Sequence, residues 1–227
     1  VYCKTKDQTD YQAVRRSMER VGKWGQLADF IIRSAENSDT GLALGMLREA
    51  IVILRDKASN YGAAATVCVD GFKRFNEEKF FGELGDTLVD RAEGRRILID
   101  GWAEQLNSGI VAARMRTATW LIDYRPHDAL ELLKPLLEQS PPDTAACQLL
   151  SNVSLDKPTR GLVIRGLLNA EDDPDARISL YNELIELHPE AGDDIVDVYD
   201  YFEVLIELEK DKNAVYEAYV SFCEDEA

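Results

Sequence analysis

Any chemistry in this chain has to come from a short list of side chains. The 227 residues include two histidines, His127 and His188, and four cysteines, Cys3, Cys68, Cys147 and Cys223. Imidazole is the commonest metal ligand and the usual proton carrier near neutral pH, so its neighbours are the first thing to read. Neither histidine belongs to an H-E-x-x-H, and neither lies three residues after a glutamate, as a di-iron bundle requires. The cysteines are far apart and form no C-x-x-C, which removes the common zinc and redox signatures. A nucleophile elbow, a Walker loop and a dinucleotide-binding glycine pattern after a strand are all missing from the sequence. The densest carboxylate run, Glu171, Asp172, Asp173 and Asp175, lacks the alternating ligands, glycine and terminal Glu of an EF-hand loop, and reads as a solvated turn around Pro174.

His127-Asp128 is similar to the signature dipeptide of the all-α HD phosphohydrolases. That family needs a further metal-binding histidine upstream, and residues 1–126 hold none. His127 is therefore expected at a helix start, with Asp128 set favourably against the positive end of the helix dipole. His188, between Leu187 and Pro189, is expected near a helix C-terminus. Cys68 and Cys147 fall on apolar helical faces and should pack as small hydrophobes. Tyr2 before Cys3 does not suit a lipidated cysteine. No catalytic, cofactor-binding or metal-binding residue is assigned, no cofactor is expected, and the chain is expected not to be an enzyme. Val1 to Asp10 lacks the charged and apolar regions of a signal peptide, and no apolar run approaches the roughly 20 residues needed to cross a bilayer. Localisation stays open. The lack of a disulfide pattern favours the cytoplasm, while a removed signal remains compatible with the sequence.

The elements that carry these residues are helical. At 45% hydrophobic and 30% charged, with 14 Gly and 7 Pro, the composition excludes collagen-like, disordered and disulfide-scaffold classes. Apolar residues recur at helical spacing almost everywhere, and strand-like alternation is sustained nowhere. Val14, Met18 and Val21 mark a first helix over Asp10 to Val21. Trp24, Leu27, Ala28, Ile31 and Ile32 mark a second after the Gly22 to Gly25 break. Asn37-Ser38-Asp39 caps a third, with Leu44, Leu47, Ile51 and Leu54 in one stripe, and Ser59 or Asn60 opens a fourth that runs to Phe75. Helical patterns containing glycine follow over Glu77 to Glu93 and Arg95 to Leu106. Later helices are expected at Ile110 to Tyr124, Asp128 to Gln139, Asp143 to Val153, Pro158 to Asn169, Asp175 to Leu187, Asp193 to Glu209 and Asn213 to Cys223. Prolines 126, 141 and 142 act as stops between them. The count is about thirteen short helices, an all-α protein.

Short helices on short loops pack against their chain neighbours, as in stacked helical hairpins. With Pro141 as the closing proline, Ala129, Leu133 and Trp120 fall on the small, bulky and aromatic positions of the tetratricopeptide unit, which this stretch resembles. Ala113 and Leu136 depart from that family's Trp and Ala preferences. Trp24-Gly25-Gln26-Leu27-Ala28 is similar to the family's first-helix signature, and Tyr181, Leu184 and Pro189 give a fainter match. The resemblance implies a tetratricopeptide-like α-solenoid that binds a protein or peptide; an irregular helical bundle is the other architecture compatible with the pattern. A local echo, Val69-Asp70-Gly71-Phe72 and Ile99-Asp100-Gly101-Trp102, places glycine inside two helices. Helical glycine is costly, so close helix approach is the expected reason.

Charge divides the chain. Residues 1–125 carry 19 Lys+Arg and 18 Asp+Glu, residues 126–227 carry 7 and 24, and the total is -16. We read 1–125 as a near-neutral and 126–227 as a strongly acidic helical repeat region, parts of one continuous solenoid. A net charge of this sign argues against direct nucleic-acid binding. In the expected helix at Asp193 to Glu209, Ile195, Val198, Tyr199, Phe202, Leu205 and Ile206 form an apolar face, opposite Asp193, Asp197, Asp200, Glu203 and Glu207. Three roles suit these acids: solubilising the end of a solenoid, receiving a basic protein segment, or mimicking DNA phosphates in the manner of a histone chaperone. Arg91, Arg95, Arg96, Arg114 and Arg116 form a basic counterpoint that could meet the acids of a second copy. The candidate partner-binding residues are thus Asp193, Asp197, Asp200, Glu203 and Glu207, with Arg95, Arg96, Arg114 and Arg116.

Overall fold

The structure, a computed structural model, describes residues 6–104, 111–188, 190–191 and 194–225. Among these residues there are thirteen α-helices and no strand. They are α1 (Lys6–Arg20), α2 (Trp24–Glu36), α3 (Thr40–Asp56), α4 (Tyr61–Phe75), α5 (Glu78–Asp86), α6 (Ala92–Ala103), α7 (Val111–Leu121), α8 (Pro126–Leu137), α9 (Thr144–Leu150), α10 (Lys157–Leu168), α11 (Pro174–Leu187), α12 (Ile195–Leu208) and α13 (Lys212–Asp225). None is long and apolar enough to cross a membrane. The chain divides into two compact units, Val1–Arg125 and Pro126–Ala227.

Short polar side chains start these helices. Asp39 accepts a hydrogen bond from the Leu42 amide at 3.0 Å to cap α3, and Asn60 accepts from the Ala63 amide at 2.9 Å to cap α4. In the second unit Asp143, Asp156 and Asp173 do the same for α9, α10 and α11. Each occupies an orphan amide that the helix cannot satisfy itself. Pro126 does not precede its helix but begins it, in the first-turn position where a missing amide costs nothing.

The glycine-containing stretch after Phe75 is broken differently from the sequence pattern. α5 stops at Asp86, and Glu93 belongs to α6, which begins at Ala92 rather than Arg95. Tight turns end α5, with the Thr87 amide donating to Leu84 O at 3.1 Å and the Leu88 amide to Gly85 O at 2.8 Å. Leu88, fully buried, is pulled into the core by that turn. Leu106 lies outside the described residues.

In the first unit α2, α3, α4 and α6 supply most of one core, in which Leu27, Ile31, Ile51, Phe72, Phe81 and Trp102 are almost wholly buried. α4 and α6 cross closely at the sequence echo. A Cβ added at Gly101 would overlap both Cγ methyls of Val69 and come within 3.0 Å of its Cβ, so the valine of the first copy seats on the glycine of the second. The aromatic residues that follow the glycines, Phe72 and Trp102, stack at 4.7 Å. At Gly94 a Cβ would lie 2.7 Å from the backbone oxygen of Leu88. Cys68 packs at 0% exposure and donates to Phe81 O at 2.9 Å.

In the second unit each helix packs on the next in the chain from α8 to α13, and α8 also touches α10. The first unit adds α4 with α6 and α5 with α7 to its sequential contacts. This pattern of next and next-but-one neighbours fits a helical repeat or a bundle. Ala113, Trp120, Ala129, Leu133 and Leu136 are all buried, and the stretch they span runs across the division, with α7 in the first unit and α8 in the second.

Candidate functional site

α12 is fixed in place by its start and by its inner face. Asp194 accepts from the Val196 and Asp197 amides at 2.8 and 3.0 Å, while the Asp197 carboxylate accepts from the Asp194 amide at 2.9 Å. This reciprocal pair is a capping box, which satisfies several end groups at once. Val198, Phe202 and Leu205 are buried with Val215, and Ile178, Tyr181, Ile185, Tyr219 and Phe222 pack around them. Aromatic contacts tie α12 to both neighbours. Tyr201 lies 5.7 Å from Tyr181 of α11, and Phe202 lies 5.1 Å from Tyr219 and 5.7 Å from Phe222 of α13.

With that face locked, Asp197, Asp200, Glu203 and Glu207 are left exposed. At roughly 100° per residue they cover about a third of the helix circumference. Among the described residues no ion pair reaches any of them. Three cations of this unit are used elsewhere: Arg160 makes a two-pronged bond to Glu183 at 2.5 and 3.0 Å, Lys157 pairs with Glu190 at 2.8 Å, and Arg177 donates to Glu171 O at 3.0 Å. Glu203 and Glu207 are one turn apart, a like-charge spacing that costs about 0.2–0.5 kcal/mol. Asp193 lies outside the described residues.

Arg95 and Arg116 are engaged within the first unit. Arg95 donates from Nε to Val89 O at 2.8 Å, and its guanidinium lies 3.4 Å from the Tyr124 ring centroid. Arg96 is exposed, and Arg114 is half-buried. Arg116 bridges α5 and α7, donating to Glu78 at 2.7 Å and to Asp86 at 2.5 Å. Trp120 Nε1 donates to the other oxygen of Asp86 at 2.8 Å. Burial works against the Arg116 charge, but Glu78 and Asp86 outweigh it and hold the group above its ordinary pKa. The guanidinium of Arg116 is therefore a fastening inside the first unit. Arg114 and Arg116, two residues apart, point to different sides of α7.

The histidines are separate. His127 is exposed in the first turn of α8, and His188 rests edge-on against Phe222 at 5.6 Å. The Glu171 to Asp175 turn is used for capping: the Asp173 amide donates to Glu171, and Asp173 accepts from the Ala176 amide. No group of three or more potential metal ligands occurs among the described residues.

Sequence reading missed a groove on the first unit, bordered by Trp24, Gly45, Arg48, Val52 and Lys57. Gly45 inside the Leu44 to Leu54 stripe was the available signal for it.

The fold defines an all-α protein built from short, sequentially packed helices. No protein-family model matches the chain, and no curated protein or solved structure matches it.

Proposed function

We propose that this chain is a non-enzymatic scaffold of stacked, tetratricopeptide-like helical hairpins whose α12 surface holds a basic segment of a partner protein. The observation that carries this reading is the row Asp197, Asp200, Glu203 and Glu207, exposed and without cations of its own, on a helix whose opposite face is fully committed to packing. A row of like charges is a cost to the isolated helix, and a Lys- or Arg-bearing partner removes it. The excess of 24 acids over 7 bases in this half also steers a cationic partner toward it from a distance.

The test is a Lys/Arg-rich peptide titrated against the full chain at low and high ionic strength. Asp200→Lys, Glu203→Lys and Glu207→Lys together should abolish binding, while Asp197 is spared because it completes the capping box. Binding that ignores both salt and the triple change removes the reading. Duplex DNA as competitor separates the histone-chaperone-like alternative: a DNA-mimicking protein releases a DNA-binding client to DNA, whereas a scaffold keeps a peptide that has no affinity for DNA.

A further inference from the structure

Helical glycines in this protein mostly have a packing reason: Gly71 faces Phe81, Gly101 faces Val69, and Gly166 faces Cys147. Gly45 has none. It is exposed in the interior of α3, and a Cβ built there meets nothing within 4 Å. Gly25 is similarly open, but it lies in the first turn of α2. A mid-helix glycine lowers helix stability relative to alanine, and here no internal contact offsets the loss. What such a glycine leaves is access to the helix backbone.

Gly45 borders a groove of about 490 Å³ with an apolar lining that includes Trp24, Val52 and Ile53. Three cations, Arg15, Arg48 and Lys57, and two carboxylates, Glu19 and Glu49, border it, a net of one positive charge, and both carboxylates are engaged by Arg15, which donates to Glu19 at 3.0 Å and pairs with Glu49. Arg48 and Lys57 remain. Arg48 lies 5.1 Å over the Phe80 ring and Lys57 6.0 Å over Trp24, and neither pairs with a carboxylate among the described residues. Arg48 lies on α3 and Lys57 caps its C-terminal end, nine residues on, which sets them about 13 Å apart along the helix axis. Fields are screened over roughly 8 Å at physiological salt, so these two charges govern what docks here more than the net charge of the chain.

We propose that this groove is a docking site for an acidic amphipathic helix of a separate protein. Its aliphatic face packs over Gly45, Val52 and Trp24, and its carboxylates meet Arg48 and Lys57. The close approach of the two helices is what the missing Cβ at Gly45 permits. This surface is independent of α12, so the chain is a scaffold with one docking surface for each sign of charge.

The test uses a fluorescent synthetic helix with Leu on one face and Glu on the other, its Lys-for-Glu counterpart, and a peptide copying residues 194–209 of this chain. Anisotropy titrations with the full chain should show salt-sensitive binding of the Glu/Leu helix that depends on Gly45, whereas binding of the Lys/Leu helix, which belongs to the α12 row, should be unaffected by Gly45→Leu and lost when Asp200, Glu203 and Glu207 are changed to Lys. Gly45→Leu fills the groove while improving helix propensity, so it should weaken Glu/Leu binding at least tenfold with no loss of melting temperature. Arg48→Glu with Lys57→Glu should also weaken it at least tenfold. Absence of Glu/Leu binding, or binding untouched by Gly45→Leu, overturns the proposal. Preferential binding of the 194–209 peptide together with self-association of the protein also overturns it, because the occupant is then a second copy. Changing Asp200, Glu203 and Glu207 should leave Glu/Leu binding intact, so failure of this proposal is distinguishable from failure of the α12 reading.

Discussion

Gly101→Ala and Gly45→Ala make the same chemical change with opposite expected results. In each case alanine gains about 0.8–1 kcal/mol of helix propensity over glycine. At Gly45 the new methyl meets nothing within 4 Å, so the whole gain should appear as added stability. At Gly101 the methyl overlaps both branches of Val69, a side chain that is 5% exposed and cannot swing aside without leaving its preferred rotamer. Overpacking of this kind costs about 1–3 kcal/mol, which leaves a net loss near 1 kcal/mol. The two variants should therefore differ by about 2 kcal/mol. For a unit of this size that corresponds to roughly 8 °C in melting temperature. All three tryptophans, Trp24, Trp102 and Trp120, lie in the first unit, so tryptophan emission during urea or thermal unfolding reports on that unit alone. Val69→Ala should relieve the overlap, giving a favourable coupling of about 1 kcal/mol or more in the double-mutant cycle. If Gly101→Ala stabilises as much as Gly45→Ala, or shows no coupling to Val69→Ala, the argument from close helix approach is wrong.

Other consequences are open to measurement. Arg116→Met should destabilise the first unit by about 2 kcal/mol, because Glu78, only 12% exposed, is left without its cation; tryptophan-monitored unfolding reads this directly. Asp156→Ala should lose about 1 kcal/mol of cap energy in the second unit, measured by far-ultraviolet circular dichroism. The hydrogen bonds from Thr159 hold the Asp156 carboxyl below its ordinary pKa of 3.8, so its contribution is present above about pH 4 and disappears as the pH falls further. Burial, with Asp143 adding to it, pushes the Cys147 thiol up to about 11, and burial raises Cys68 as well. At pH 8 a thiol reagent should modify Cys223 and spare these two until the protein unfolds, as peptide mass spectrometry would show. Because the folded-state pKa of Cys147 is raised from 9.0, its contribution to stability should hold below about pH 9 and be lost between about 9 and 11.

Local signals carried most of the fold. Asp39 and Asn60 are caps because a short oxygen-bearing side chain stands just before an apolar periodic run, and that relation is visible in sequence. The inner side of α12 was equally legible, since Val198, Phe202 and Leu205 recur at helical spacing and are all buried. Boundaries between Phe75 and Ala103 were not legible, because the end of α5 depends on Leu88 entering a core assembled from other helices. The partners of Arg116 lie 38 and 30 residues away, at Glu78 and Asp86, and no local pattern connects them. Its positive charge looked available in sequence and is consumed in structure. Asp197 shows a related divergence: its place on the acidic face was evident, whereas its bond to the Asp194 amide depends on the backbone turning at that point. The groove beside Gly45 escaped for a third reason. Its border draws on several helices, and only its glycine departs from the composition of an ordinary amphipathic helix.

The tight glycines of the first unit change what an inventory of side chains would predict about tolerance to replacement. At Gly94, where a Cβ would stand 2.7 Å from a carbonyl oxygen, and at Gly101, every other amino acid brings bulk into space that is already taken. A saturation library screened for folded protein should lose almost all of its members at these positions, while Arg96 accepts nearly any residue. The least replaceable sites in this half of the chain would then be among those with no side chain at all.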